Sequence, residues 1–211
     1  MLAEIENESL VSSLFDAFVE WYDSSSELNT LHTTDGDTQD TERDVIAVFE
    51  ETLKEFGYCY KKASSQQPYD FRICLDKDVT DTEDEKFKSA RTSVNSKDYH
   101  LVDLINDLLL VELKKTQTGN VILNDTIPQP DSFYVIVNLK KQEIGLWKGR
   151  DIIVALENKM RDKGAVSWDI YQYQKDVKEL KEKYGKAFTP RMNLSFSYSK
   201  LRNAVKKFSL K

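Results

Sequence analysis

The sequence predicts a single α/β domain in which helices flank a central mixed β-sheet. Apolar residues recur at helical spacing near both ends of the chain, whereas short apolar runs typical of strands lie between residues 65 and 140. The 211 residues are 40% hydrophobic and 11% aromatic, which is enough to build the core of one moderately sized domain. We therefore divide the chain into N-terminal helices (1–62), core strands (65–140) and a C-terminal part (141–211).

Three segments have the periodicity of amphipathic helices. In residues 3–23 the apolar positions include Leu14 and Phe18, and we expect this helix to pack on the core or to form a dimer interface. A polar loop precedes the second helical segment, residues 41–56. The third segment, residues 169–185, carries several lysines on its polar surface, so it is suited to contacts with a phosphate backbone.

The segment with the clearest chemical content is residues 108–116, Leu-Leu-Leu-Val-Glu-Leu-Lys-Lys-Thr. Four apolar residues predict a buried strand, and alternation along a strand places Glu112 and Lys114 on one face with Leu113 on the other. Charges at the end of a buried strand are unfavourable unless they are paired or hold a metal. This placement is typical of a functional site.

A second acid is predicted from the residues just upstream. Residues 100–105 form another apolar run, and Asn106-Asp107 is suited to a two-residue hairpin turn. In such a hairpin Asp103 lies opposite Leu110, on the face that carries Glu112 and Lys114. Two carboxylates and a lysine would then converge, and an oxygen-only cluster of this kind suits Mg²⁺.

An Asp followed after a gap by Glu-x-Lys at the end of a core strand resembles the PD-(D/E)xK nuclease superfamily, and type II restriction endonucleases are its most similar members. The likeness extends over about residues 65–140, where 116–128 and 133–138 look like the next strands of such a core. The resemblance implies a restriction-endonuclease-like fold. It also implies an enzyme that uses Mg²⁺ to hydrolyse phosphodiester bonds of double-stranded DNA. By this resemblance Asp103 and Glu112 are the metal ligands, and Lys114 orients the attacking water.

The identity of the first acid stays open at this point. Asp103 has the short gap to Glu112 that some restriction enzymes show, but no proline precedes it. Asp70 begins another strand-like run and has Pro68 two positions earlier, but its gap to Glu112 is long and crosses an acidic segment. We prefer Asp103 slightly and keep Asp70 as the alternative.

The distribution of charge indicates where DNA would bind. The net charge is −6, yet residues 138–211 hold 18 Lys and Arg against 8 Asp and Glu, whereas residues 1–137 are strongly acidic. Basic residues supply much of the affinity of proteins for DNA through phosphate contacts. Lys148 and Arg150 belong to a predicted loop, 145–151, which leads into an apolar run, and the alternating segment 189–200 has side chains that can read base edges. The residues predicted to contact DNA are Lys115, Thr116, Asn124, Lys148, Arg150, Arg191, Asn193 and Ser195.

Other function classes find little support in the sequence. Cys59 and Cys74 lack the spacing of a zinc site or a disulfide framework, and no run approaches the roughly 18 apolar residues of a membrane span. With acids near its N-terminus in place of a basic leader, the protein is expected to be soluble and cytoplasmic.

The resemblance further implies a homodimer on a short palindromic site, with the N-terminal helix as the dimer element. Two alternatives to a restriction enzyme remain. One is a structure-selective or repair nuclease with the same core, and the other is a non-catalytic DNA-binding module in which Glu112 and Lys114 are structural.

Overall fold

Six strands form the central sheet of the protein, in the order β1-β2-β3-β5-β6-β8. The computed structural model describes residues 2–24, 38–63, 69–74, 108–124, 128–164, 169–184 and 193–210. Neighbouring strands of this sheet are antiparallel except β3 and β5, which are parallel. Its strands are β1 (Tyr60–Lys62), β2 (Phe71–Cys74), β3 (Leu108–Thr116), β5 (Phe133–Asn138), β6 (Glu143–Lys148) and β8 (Lys206–Ser209).

Two further strands pair with each other outside this sheet. They are β4 (Asn120–Asn124) and β7 (Asn193–Ser197), which form an antiparallel pair that we call the β4–β7 ribbon. The α-helices in the described ranges are α1 (Leu2–Ser24), α2 (Thr38–Glu55), α3 (Gly149–Asp162) and α4 (Ile170–Tyr184). The predicted α/β domain with a mixed sheet flanked by helices is confirmed, whereas the restriction-endonuclease-like core stays a prediction.

The two faces of the sheet are covered by different elements. Helices α1 and α2 pack on one face, where the Phe18 and Phe49 rings lie 5.6 Å apart and Phe49 lies 5.4 Å from Phe71 of β2. Leu113 of β3 is fully buried in this layer. The β4–β7 ribbon, α3 and Ile170 of α4 pack on the other face. The residues of β3 therefore alternate between two separate hydrophobic layers.

The predicted helix at 3–23 uses its apolar stripe inside the chain. Leu14, Phe18 and Tyr22 of α1 are buried against α2 and the sheet, whereas Trp21 is 37% exposed. The predicted role in packing is confirmed, and the role in a dimer stays a prediction. No helix in the described ranges is long and apolar enough to cross a membrane.

The structure corrects two sequence-based assignments. Residues 145–151, predicted as a loop, form the end of β6 and the start of α3. Gly145 and Gly149 suggested a loop, but Ile144 and Leu146 are buried on one face of β6 while Trp147 covers the other. The segment predicted as N-terminal helices, 1–62, also ends in a strand, β1, which pairs with β2.

Gly145 is required by the packing of Trp147. A Cβ atom at Gly145 would lie 2.1 Å from Cη2 of the fully buried Trp147, whose ring packs edge-on to Tyr198 at 5.1 Å. We expect Gly145→Ala to lower the free energy of unfolding by about 1–3 kcal/mol, the usual cost of an overpacked core. Urea denaturation measures this loss.

A double-mutant cycle provides the control. In a Trp147→Leu background the side chain that a new methyl group would strike is smaller, so Gly145→Ala should cost less there. An equal cost in both backgrounds would show that the Trp147 ring is not the reason for the glycine.

Candidate functional site

Strand β3 carries the acid and the lysine that the sequence singled out. Glu112 and Lys114 lie on the same face of β3, and Glu112 Oε1 is 2.7 Å from Lys114 Nζ. Their side chains are only 6% and 11% exposed, respectively. Between them, Leu113 points to the α1–α2 layer and fixes the orientation of the strand. This is a nearly buried ion pair, in contrast to the solvated pairs that contribute little on protein surfaces.

Asp70 is attached to the same part of β3. The register of the antiparallel strands β2 and β3 ends with the pair Phe71 and Val111. Asp70 directly precedes Phe71 and Glu112 directly follows Val111, so these two acids come next to each other beyond that pair. The Asp70 N–H donates to the Val111 carbonyl oxygen at 2.9 Å, and Asp70 Oδ2 accepts from the Leu113 N–H at 2.7 Å. The carboxylate thus takes the place of a backbone acceptor at the end of the ladder, which holds it beside Glu112.

The charges of these groups act on one another. Burial raises the pKa of Asp70, and the Lys114 ammonium, the Leu113 N–H and the Lys62 ammonium oppose this rise. Lys114 therefore interacts with both acids, through the contact with Glu112 and through its effect on Asp70. Two carboxylates and one ammonium converge at the junction of β2 and β3.

Tyr134 of β5 completes this part of the sheet, and the sequence analysis did not identify it. Tyr134 is the register partner of Glu112 on the parallel strand, and it is 2% exposed. Burial raises the pKa of Tyr134 well above its usual value, and the negative charge of Glu112 adds to this rise. A hydrogen bond from the Gln129 N–H to the phenolic oxygen opposes it. A strand at 133–138 was expected from the resemblance, but its register with β3 was not.

Asp103, the preferred first acid, lies outside the described residues. The predicted hairpin placed it opposite Leu110, but in the structure Leu110 lies opposite Arg72 of β2. From Val111 onwards the other edge of β3 is paired with β5. The predicted hairpin of residues 100–105 with 108–113 also falls on residues outside the described ranges, so it stays a prediction.

The predicted DNA contacts next to the Glu-x-Lys motif have different surroundings. Lys115 lies on the opposite face of β3 from Glu112 and Lys114, because side chains alternate along the strand. Thr116 is 5% exposed, and its hydroxyl donates to the Asn120 carbonyl oxygen at 2.8 Å while accepting from the Gly119 N–H at 3.1 Å. Thr116 thus closes the turn between β3 and β4.

Lys148 and Arg150, the predicted DNA contacts at the start of α3, differ in whether their side chains are already paired. Lys148 Nζ pairs with Glu8 Oε2 of α1 at 2.5 Å, so it interacts with the α1–α2 side of the sheet. Arg150 is exposed in the first turn of α3. Of these two residues, Arg150 is the one whose side chain is open to a ligand.

The remaining predicted contacts are on or near the β4–β7 ribbon. Asn124 and Asn193 are register partners in the ribbon, although their side chains lie outside the described part of the chain, as does the whole of Arg191. Ser195 accepts a hydrogen bond at its hydroxyl from Lys159 of α3, with 2.8 Å between Ser195 Oγ and Lys159 Nζ. The same ammonium donates to the Ser195 carbonyl oxygen at 2.6 Å.

The carboxylates of Asp70 and Glu112 fit Mg²⁺ better than they fit a metal that takes all its ligands from the protein. In the described ranges no group of three or more His, Cys, Asp or Glu residues could hold a metal. Mg²⁺ commonly binds through one or two carboxylates and takes its other oxygens from water and substrate phosphates. Asp70 and Glu112 supply two such carboxylates, with Lys114 beside them.

Comparison of the chain with family models, with curated proteins and with solved structures found no match. Any functional assignment therefore rests on the arrangement of Asp70, Glu112 and Lys114. The order of these residues along the chain and their place at the end of two paired strands are the features that a proposal must explain.

Proposed function

We propose that the protein is a Mg²⁺-dependent endonuclease that cuts double-stranded DNA at a short specific sequence, as type II restriction endonucleases do. The observation that supports this most is the convergence of Asp70, Glu112 and Lys114 where β2 meets β3. A nearly buried set of two acids and a lysine is hard to explain by stability alone. Buried ion pairs are often no more stabilising than apolar residues of the same size.

In this proposal Asp70 takes the role of the first acid. Its carboxylate is fixed beside Glu112 by the hydrogen bond from the Leu113 N–H. Residues 68–70 and 112–114 then give the order Pro-x-Asp followed by Glu-x-Lys, which resembles the PD-(D/E)xK pattern with one residue inserted after the proline. Asp103 remains the alternative that the sequence favoured, and a direct comparison of the two acids is described in the Discussion.

The three side chains have separate roles. Asp70 and Glu112 would hold Mg²⁺, which when bound neutralises charge on the scissile phosphate and lowers the pKa of a coordinated water. Lys114 donates hydrogen bonds, and its ammonium orients the attacking water and stabilises the developing negative charge. The contact with Glu112 and the burial of Leu113 restrict where that ammonium can be.

The basic C-terminal part supplies the affinity for DNA in this proposal. Residues 138–211 have an excess of Lys and Arg, and Arg150 is exposed at the start of α3. A specific palindromic site and a homodimer, with one active site for each strand, follow from the resemblance to type II enzymes. Two-fold symmetry of the protein would then match two-fold symmetry of the DNA sequence.

Incubation of the purified protein with plasmid and phage DNA in Mg²⁺ tests the proposal. Discrete fragments with a shared end sequence are expected, and EDTA should abolish them. Cleavage confined to junctions, flaps or ends would instead identify a structure-selective nuclease. Intact DNA in Mg²⁺ and in Mn²⁺, across several methylation states and branched substrates, would overturn the nuclease proposal and favour a DNA-binding module.

A further inference from the structure

Arg72 is a buried cation close to the candidate site. It lies on β2 opposite Leu110 of β3, and residues opposite each other in an antiparallel pair share a face. Leu110 and Glu112 also share a face, so Arg72 is diagonal to Glu112 at a spacing of about 7–8 Å between such positions. Arg72 is only 6% exposed. Its guanidinium carbon is 5.8 Å from the centre of the Tyr69 ring.

No acid in the described part of the chain forms an ion pair with Arg72. By contrast, Lys148 and Lys206 each have a carboxylate oxygen at 2.5 Å, from Glu8 and Asp16 respectively. In the described part of the chain no carboxylate therefore neutralises Arg72, and a cation on a largely buried side chain favours an anionic ligand.

Tyr69 adds a second donor without a partner. It is 2% exposed, and within the described ranges its hydroxyl has no hydrogen-bond partner. Buried hydroxyl groups almost always have a partner, so a hydroxyl that has none in the described ranges, on a ring that lies near the Arg72 guanidinium, requires an explanation. An anion that binds both donors would satisfy them together.

We propose that Arg72 and Tyr69 bind a phosphate of the DNA backbone next to the phosphate that is cut. This inference rests on the proposed function, because it takes Asp70 as an acid of the active site. Tyr69 and Arg72 lie on either side of Asp70 along the chain. The guanidinium fork matches two oxygens of a phosphate, which an ammonium cannot do, and the phenol donates one further hydrogen bond. The pair would hold the DNA strand in register with the acids, so these are binding residues and not groups that take part in bond cleavage.

Binding of duplex DNA by four proteins tests the proposal. All carry Lys114→Ala to keep the duplex intact, and three also carry Arg72→Met, Arg72→Lys or Tyr69→Phe. Because a charge-assisted hydrogen bond contributes strongly, Arg72→Met should raise the Kd by roughly tenfold to a hundredfold. Arg72→Lys should give an intermediate rise and Tyr69→Phe a smaller one. The slope of log Kd against log salt should also fall by about 0.9 in Arg72→Met, which is the loss of one phosphate contact.

Stability distinguishes this role from a structural one. Methionine has a similar length and no charge, so Arg72→Met should unfold at the same temperature as the parent protein or higher. A protein that is markedly less stable, or that fails to fold, would contradict the proposal, because the fold itself would then need the guanidinium. Exposed Lys54 of α2, which lies outside the basic C-terminal part, provides the control, and Lys54→Met should leave both the Kd and the unfolding temperature unchanged.

The possible failures have different signatures. A wild-type protein that cuts DNA, together with Arg72 variants that bind DNA as tightly as Lys54→Met, would overturn the phosphate site and leave the nuclease proposal intact. DNA binding that depends on Arg72, in a wild-type protein that cuts no DNA, would overturn the nuclease proposal and leave the phosphate site intact. If inorganic phosphate raises the unfolding temperature of the parent but not of Arg72→Met, and DNA binding is equal in both, the site binds free phosphate and the DNA contact is wrong.

Discussion

Replacement of Lys114 by methionine is expected to slow DNA cleavage by about 10²- to 10³-fold, the range associated with loss of one donor that stabilises developing negative charge. Methionine keeps the length and much of the apolar surface of the lysine side chain. It removes the ammonium that lies 2.7 Å from Glu112 and acts on Asp70. Single-turnover cleavage of a plasmid at saturating Mg²⁺ measures the effect on chemistry separately from DNA binding.

Lys140→Met is the control for the loss of a positive charge. Lys140 is exposed in the turn between β5 and β6, so its replacement should leave the cleavage rate within a factor of about two, as is usual for a surface residue. Glu112→Gln should be as inactive as Lys114→Met, since it removes a metal ligand while keeping the shape of the side chain. Normal cleavage by both site variants, with the wild-type fold, would exclude β3 as the catalytic strand.

Asp70→Asn is expected to lower Mg²⁺-dependent cleavage by more than about a hundredfold, whereas Asp103→Asn should retain it. Even changes to the outer partners of metal ligands lower affinity or activity by about 10- to 100-fold. The amide oxygen of asparagine can still accept the hydrogen bond from the Leu113 N–H, so the fold around β3 should persist. Cleavage rates over a series of Mg²⁺ concentrations, for both variants, measure the difference.

The opposite result is equally informative. If Asp103→Asn is inactive and Asp70→Asn cuts normally, the first acid is Asp103, as the sequence favoured, and the Asp70 carboxylate serves only to hold β2 against β3. Unfolding temperatures of the two variants are needed alongside the rates. A large loss of stability in Asp70→Asn would mean that asparagine does not replace the carboxylate at the Leu113 N–H.

The parts of the site that were predictable depend on local alternation. Glu112 and Lys114 could be placed on one face because a strand has a period of two, and the strand itself was marked by four apolar residues. Periodicity likewise predicted α1, α2 and α4. Asp70 was left as the second choice because its nearness to Glu112 depends on which strands pair, and local pattern carries no information about a partner so far along the chain.

The features that were missed involve contacts across strands. Tyr134 and Arg72 come close to Glu112 only through the registers of β5 and β2 with β3. Strand β6 was taken for a loop because Gly145 is typical of turns, whereas here it makes room for Trp147. Tyr134 and Arg72 were missed because strand register was unknown, and β6 was missed because the packing of Trp147 over Gly145 was unknown.

Asp70 and Glu112 are 42 positions apart, and 33 of the residues between them, 75–107, connect β2 to β3. The entropy lost in closing such a connection grows with the logarithm of its length, so doubling it costs only about 0.6 kcal/mol. The relative position of the two acids is set instead by the β2–β3 register and by the hydrogen bond from Leu113 to Asp70. A change in the length of this connection that leaves the β2–β3 pairing intact would therefore leave Asp70 and Glu112 at the same positions relative to each other.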